Sequence, residues 1–250
     1  MTLTFDAARK GLPALIVAMS ASAWLLMWRL GDSPWGHWLH GHVGAGSDAA
    51  AAVTLGTIFV AGWIIMTTAM MLPTTLPLVE MFQRLTAARP DRVRLTASLI
   101  AGYLSAWAVC GVLVFAASWG LHALAPAVWT TNPRLVAAGL FVTAGAFQFS
   151  KLKYECLEKC RSPLSFLSSR WRGTHHRWHS FRLGVEHGAF CVGCCWALML
   201  LMFAIGTVHL LWMLALAGVM AIEKNMPWGR RLSAPLGVAL LIAGVAIAVA

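Results

Sequence analysis

The chain has 250 residues, of which 59% are hydrophobic and only 11% are charged, and its mean hydropathy is +0.72. This composition excludes an ordinary soluble domain and is typical of a polytopic membrane protein. Its 19 Lys and Arg residues outnumber its 9 Asp and Glu residues. In a membrane protein this excess predicts basic cytoplasmic loops rather than nucleic-acid binding. We therefore predict an all-α bundle in a lipid bilayer, formed by residues 1–250 as one domain, with no nucleic-acid partner.

Six apolar stretches predict about six transmembrane helices. Pro13 suits the first turn of the first helix, because its missing N–H is harmless there. Pro73 interrupts the second helix, and Pro227 follows the end of the fifth. A basic loop connects the fourth and fifth helices. The predicted spans are residues 12–30, 49–72, 95–119, 132–149, 187–222 and 233–250.

The distribution of Lys and Arg predicts the orientation. Of the 19, 14 lie near the N-terminus, between the second and third helices, or in the connection 150–186. The positive-inside rule then places these segments and both termini on the cytoplasmic side of the cell inner membrane. Lys224, Arg230 and Arg231 fit poorly, because this arrangement puts them outside. Dividing 189–222 into two spans would correct their placement but leave each span too short, so the prediction keeps six.

Five of the six cysteines, together with one histidine, form two groups with helical spacing. The first pair is four residues apart, so on a helix both thiols face the same side. The members of the second group follow one another at steps of four, three and one, which places them within an arc of about 100°. Thiolate and imidazole favour Cu(I), Zn(II) or similar ions over Mg or Ca. The predicted metal ligands are Cys156, Cys160, His187, Cys191, Cys194 and Cys195.

Three residues are secondary candidates for the metal site. Met66 and Met70 share a helical face and could offer thioethers to Cu(I), although a methionine stripe also suits plain packing. His209 lies inside an apolar run, where an ionisable residue is either functional or hydrogen-bonded to a neighbouring helix. Because cytoplasmic thiols stay reduced, the cysteines favour metal ligation or redox sensing over structural disulfides.

Five short runs resemble one bacterial family, a domain of unknown function described as predicted metal-binding integral membrane proteins. The resemblance covers residues 62–237. It implies a multi-helix membrane protein with a metal site at the six candidate ligands, but no established reaction. The runs are Ala69–Pro73, Cys156–Leu164, Arg182–Gly188, Cys191–Met199 and Glu223–Pro227.

Three functions stay open at this point. In the first, the cluster handles Cu(I) or a similar soft metal at the cytoplasmic membrane face, with a metal-delivery or acceptor protein as partner. In the second, zinc is a structural staple in a membrane assembly subunit. In the third, the vicinal pair Cys194–Cys195 or the pair Cys156 and Cys160 cycles through a disulfide in a thiol oxidoreductase. The sequence has no Walker motif, acyl-transfer triad or Gly-rich nucleotide fingerprint, so we predict no catalytic residues and disfavour an ATP-driven pump.

Overall fold

The computed structural model describes residues 2–31, 49–124, 132–171, 176–205 and 210–249. Within these ranges the chain forms ten α-helices and two 3-10 turns, without strands, so the predicted all-α class is confirmed. The turns are Pro73–Thr75 and Gly229–Leu232. The helices are α1 (Thr2–Gly31), α2 (Ala49–Met70), α3 (Leu76–Leu85), α4 (Arg92–Leu124), α5 (Pro133–Phe147), α6 (Lys151–Arg161), α7 (Pro163–Arg170), α8 (His176–Ile205), α9 (Leu210–Asn225) and α10 (Ser233–Val249).

Four of the described helical segments are long and apolar enough to cross a membrane. They contain α2, α4, α8 and α10. Helices α5 and α6 meet the same criterion together but are bent by 65°, so the number is five if this pair forms one span. The apolar part of α1, Pro13–Arg29, is shorter. The sequence predicted about six spans.

The predicted fifth span, residues 187–222, is wrong as a single helix. Helix α8 ends at Ile205, and α9 begins at Leu210. Helix α8 also begins at His176, inside the predicted loop 150–186, which contains α6 and α7 as well. The reason is packing: Ser180 and Leu183 of α8 are buried, while Arg177 and Arg182 on the same helix are exposed. A charge-rich segment can thus be a packed helix.

Helix α8 lies at the centre of the bundle. It packs against α4, α5 and α6, while α2 packs on α4 and α10 packs on α5. In its span 56% of the residues are buried, against 22–33% in the other three spans. The cysteines of α8 therefore lie in the interior of the protein, where several helices can contribute to one site.

Helices α5 and α10 run antiparallel. A Cβ atom added to Gly237, near the start of α10, would lie 2.6 Å from the Phe149 ring, just beyond the end of α5. A Cβ atom on Gly244, further along α10, would lie 2.8 Å from Val142, within α5. Helix α10 therefore starts at the end of the bundle that holds α6 and ends at the opposite side. The C-terminus and the basic connection 150–186 were predicted on the same side, and this pairing is wrong.

The predicted separation of Lys224, Arg230 and Arg231 from the basic connection is also wrong. The Arg230 guanidinium lies 5.2 Å from the ring centroid of Tyr154 in α6, and Arg161 of α6 donates a hydrogen bond of 2.9 Å to the Pro227 carbonyl. Because α8 and α9 are separate helices, the chain returns to the basic end of the bundle before α10 begins.

Candidate metal centre

The sulfur of Cys191 is the centre of the candidate site. The Tyr103 hydroxyl of α4 lies 3.0 Å from it, and the Lys224 Nζ of α9 lies 2.9 Å from it. All three residues are buried. Because an ammonium group donates hydrogen bonds and accepts none, the sulfur is the acceptor from Lys224. Three helices that are distant in sequence thus meet at one thiol.

A thioether and a second thiol complete this part of the site. The Met71 Sδ lies 3.8 Å from the Cys195 Sγ and 3.4 Å from the Lys224 Nζ, and the Nζ is 3.9 Å from the Cys195 Sγ. Met71 follows the end of α2, and its N–H and that of Leu72 both donate to the Thr67 carbonyl, at 2.8 and 3.2 Å. The chain therefore turns out of the helix at the residue whose sulfur joins the site.

Helix α6 brings the other two cysteines to α8. Ser150 caps this helix by accepting a hydrogen bond of 3.2 Å from the Lys153 N–H. Cys160 is partly buried and packs against the core that includes Cys191 and Cys194. The Cys156 sulfur lies against Gly193, where an added Cβ atom would be only 2.6 Å from it. A glycine between the cysteines of α8 is therefore what lets α6 approach.

His187 lies one turn before Cys191 and is buried. Its ring centroid is 6.1 Å from that of Tyr103 and 5.4 Å from that of Phe166. Its Nδ1 atom has no hydrogen-bond partner within the described ranges. The imidazole nitrogen is thus available as a metal ligand beside the thiols. It lies next to the tyrosine that contacts Cys191.

The cysteine side chains contact protein groups in this arrangement. The thiols of Cys194 and Cys195 donate to the Cys191 carbonyl, at 3.1 and 2.9 Å. Metal ligands must converge at about 2.0–2.3 Å from a single point, and no three His, Cys, Asp or Glu groups in the described part of the chain do so. The donors nevertheless fit a soft ion, since all six cysteines are free thiols. Rotation about χ1 is the change that would redirect the two thiols.

The secondary candidates have different outcomes. Met66 and Met70 are buried in the core, but the contacts with Cys195 and Lys224 belong to Met71, which the sequence pattern did not single out. His209 lies outside the described residues. The helical spacing that favoured Met70 gave no indication that the helix ends there.

A buried ion pair fixes the end of α9 next to the thiols. The Lys153 Nζ lies 2.8 Å from a carboxylate oxygen of Glu223, and these side chains are 0% and 2% exposed. The Ser233 hydroxyl donates to the same carboxylate at 2.7 Å, and Lys153 also donates to the Gln148 side-chain oxygen. Sequence reasoning missed this network and Lys224. The available signal was a Glu-Lys pair at the end of an apolar run, where ionisable residues are functional candidates.

The fold and this cluster together define a class: a helical protein with membrane-length apolar helices and buried soft donor atoms. More specifically, the chain belongs to the PpoB2 family, described as copper chaperone, whose model matches residues 60–247. The matched region contains the whole cluster, from Met71 to Lys224. The prediction of a metal-related family is thereby confirmed. No curated protein and no solved structure matches the chain.

Proposed function

We propose that this protein binds Cu(I) at the cysteine cluster and transfers it to an acceptor protein at a membrane. The observation that carries the proposal is that α6 places a thiol against the cysteines of α8: the Cys156 sulfur would lie 2.6 Å from a Cβ atom on Gly193, which stands between Cys191 and Cys194. Membership of a family described as copper chaperone supports the choice of metal. The proposed ligands are the six residues predicted from sequence, with Met71 added by the structure.

The donor set favours Cu(I) over Zn(II). Thiolates and thioethers are the ligands that select Cu(I), which needs only about two or three of them. The thioether of Met71 is within 3.8 Å of the Cys195 thiol. The buried carboxylate next to Lys224, that of Glu223, is held by Lys153 and Ser233. Zinc would use four ligands in a tetrahedron, commonly including imidazole.

The surplus of donors suits transfer. When an acceptor thiolate forms a bond to Cu(I), one bond from copper to a cluster thiolate breaks, and the copper keeps its oxidation state. Thiols on both α6 and α8 allow this exchange to proceed one ligand at a time. The cluster then binds copper again without any net change in its own cysteines.

The charges around the cluster support a cytoplasmic position. Basic residues lie in α6, α7 and the start of α8, and those segments belong to the same end of the bundle as Lys224 and Arg230. Under the positive-inside rule this end faces the cytoplasm of the inner membrane. Cytoplasmic thiols stay reduced, which is the form that binds Cu(I).

The test is an anaerobic titration of purified protein with Cu(I) in competition with a chromogenic chelator. We expect Cys194→Ser to weaken binding and the double variant Cys156→Ser with Cys191→Ser to abolish it. Cys110→Ser on α4 is the matched control and should bind as the wild type does. Wild-type affinity in the double variant would refute the proposed site, and stoichiometric zinc without copper would favour the structural staple.

A further inference from the structure

The ammonium group of Lys224 lies among the sulfur atoms of the proposed copper site. Its Nζ is 2.9 Å from the Cys191 sulfur, 3.4 Å from that of Met71 and 3.9 Å from that of Cys195. The side chain is buried, with 6% of the residue exposed. A positive charge thus lies within 4 Å of the Met71 thioether, just after α2, and of two thiols of α8.

The position of Lys224 is imposed by its neighbours. Glu223, the preceding residue, is held by Lys153 and Ser233, and Arg161 donates to its carbonyl. The next turn is tight, since a Cβ atom on Gly229 would lie 2.1 Å from the Ile222 carbonyl oxygen. The backbone at the end of α9 is therefore fixed, and the lysine stem extends from it into the thiol cluster.

The interactions of Lys224 are those of a cation with soft donors. The carboxylate of Glu223 is already engaged by another lysine, and within the described residues the Lys224 ammonium donates to sulfur atoms. A buried charge needs a compensating partner, and the nearest acceptor to the ammonium is the Cys191 sulfur at 2.9 Å. A metal cation bound to the same sulfurs would be repelled by the ammonium at a distance of a few ångströms.

We propose that Lys224 is an internal competitor for copper: its ammonium occupies the cation position among Met71, Cys191 and Cys195, and Cu(I) must displace it to bind. This inference rests on the proposed function and adds how the cargo is released. Displacement replaces hydrogen bonds from nitrogen to sulfur with copper–sulfur bonds, and no electrons are transferred. The displaced ammonium stays attached to α9 and moves away from the sulfur atoms, and each thiol that binds copper releases its proton. Return of the ammonium, on the flexible lysine stem, favours departure of the metal.

A carrier protein must release its metal as well as bind it, and an internal competitor would promote that release. Several thiols and a thioether together form a ligand set that selects Cu(I). A tethered cation lowers the affinity without removing any ligand, so the full donor set can still select for a soft metal. Lys224 would promote release of the copper through its charge and would not itself bind the copper.

The experiment measures the Cu(I) dissociation constant and the rate of copper transfer to a chelator for three variants. Lys224→Gln removes the charge, Lys224→Arg keeps it, and Lys151→Gln removes an exposed charge from α6 as the matched control. We expect Lys224→Gln to bind Cu(I) at least about tenfold more tightly and to release it correspondingly more slowly. Lys224→Arg should stay closer to the wild type, and the control should be unchanged.

Two outcomes would overturn the inference. Unchanged affinity in Lys224→Gln would show that the ammonium does not compete, and weaker binding would show that it supports the ligands. If Lys224→Gln does not fold, Lys224→Leu, which keeps the apolar stem, carries the same expectation. Failure of the wild type to bind Cu(I) would instead refute the proposed function, so the two failures are distinguishable.

Discussion

Replacing Gly184 with alanine should separate α8 from α4, whose Tyr103 contacts the proposed copper site. A Cβ atom on Gly184 of α8 would lie 2.0 Å from the Leu99 carbonyl oxygen of α4, and one on Gly102 of α4 would lie 2.0 Å from the Phe181 carbonyl oxygen. Ordinary contacts begin near 3.4 Å. Since the obstacle is backbone, it cannot rotate aside, and the helices must separate by about 1.4 Å.

The cost follows from two opposing effects. Overpacking of this kind destabilises by about 1–3 kcal/mol, while alanine in place of glycine gains up to about 1 kcal/mol in helix propensity. We expect a net loss of about 1–2 kcal/mol, or a fall in Tm of roughly 2–8 °C for a chain of this size. The same displacement would take the Tyr103 hydroxyl, now 3.0 Å from the Cys191 sulfur, out of hydrogen-bonding range and weaken copper binding.

Thermal unfolding in detergent, followed by tryptophan fluorescence, measures the effect. Gly139→Ala on α5 is the matched control, because an added Cβ atom there meets nothing within 4 Å, and its Tm should stay level or rise. The reasoning about helix contact would be refuted if Gly184→Ala unfolded at or above the temperature of the wild type.

Three further predictions follow from the described contacts. Lys153→Met leaves the buried carboxylate of Glu223 without its charged partner and should cost about 3–5 kcal/mol in the free energy of unfolding. An effect below about 1 kcal/mol in denaturant titrations would mean that water hydrates the ion pair. Met71→Leu should weaken Cu(I) binding in chelator competition and Met70→Leu should not; equal effects would point to a general packing role. Reporters fused after α7 and after α10 should report opposite sides of the membrane, and the same side for both would contradict the antiparallel arrangement of α5 and α10.

The helices and the cysteine face could be predicted because their information is local. Hydrophobic length indicates a membrane helix, and the steps from His187 to Cys195 define one face of a helix without knowledge of any neighbour. The start of α8 at His176 was missed for a physical reason. A charge-rich segment was assigned to a loop, although its small residues, such as Gly184, allow close packing on α4.

The remaining members of the site could not be found from local spacing. Tyr103 and Lys224 meet Cys191 across separations of 88 and 33 residues, so their proximity depends on how whole helices pack. The choice between Met70 and Met71 depends on where α2 ends, because a shift of one residue turns the thioether away from the thiols. Arg161 is next to Cys160 in sequence, but its guanidinium donates to the backbone carbonyls of Glu223 and Pro227.

The central claim is that Cu(I) binds between the thiols of α6 and α8. X-ray absorption at the copper edge, on wild-type protein loaded anaerobically, tests it most directly because it identifies the atoms bonded to the metal. We predict coordination by about two or three sulfur atoms, with the copper lost from the variant that combines Cys156→Ser and Cys191→Ser and retained by Cys110→Ser. Copper bound only through nitrogen or oxygen, or an unchanged spectrum in the double variant, would contradict the account.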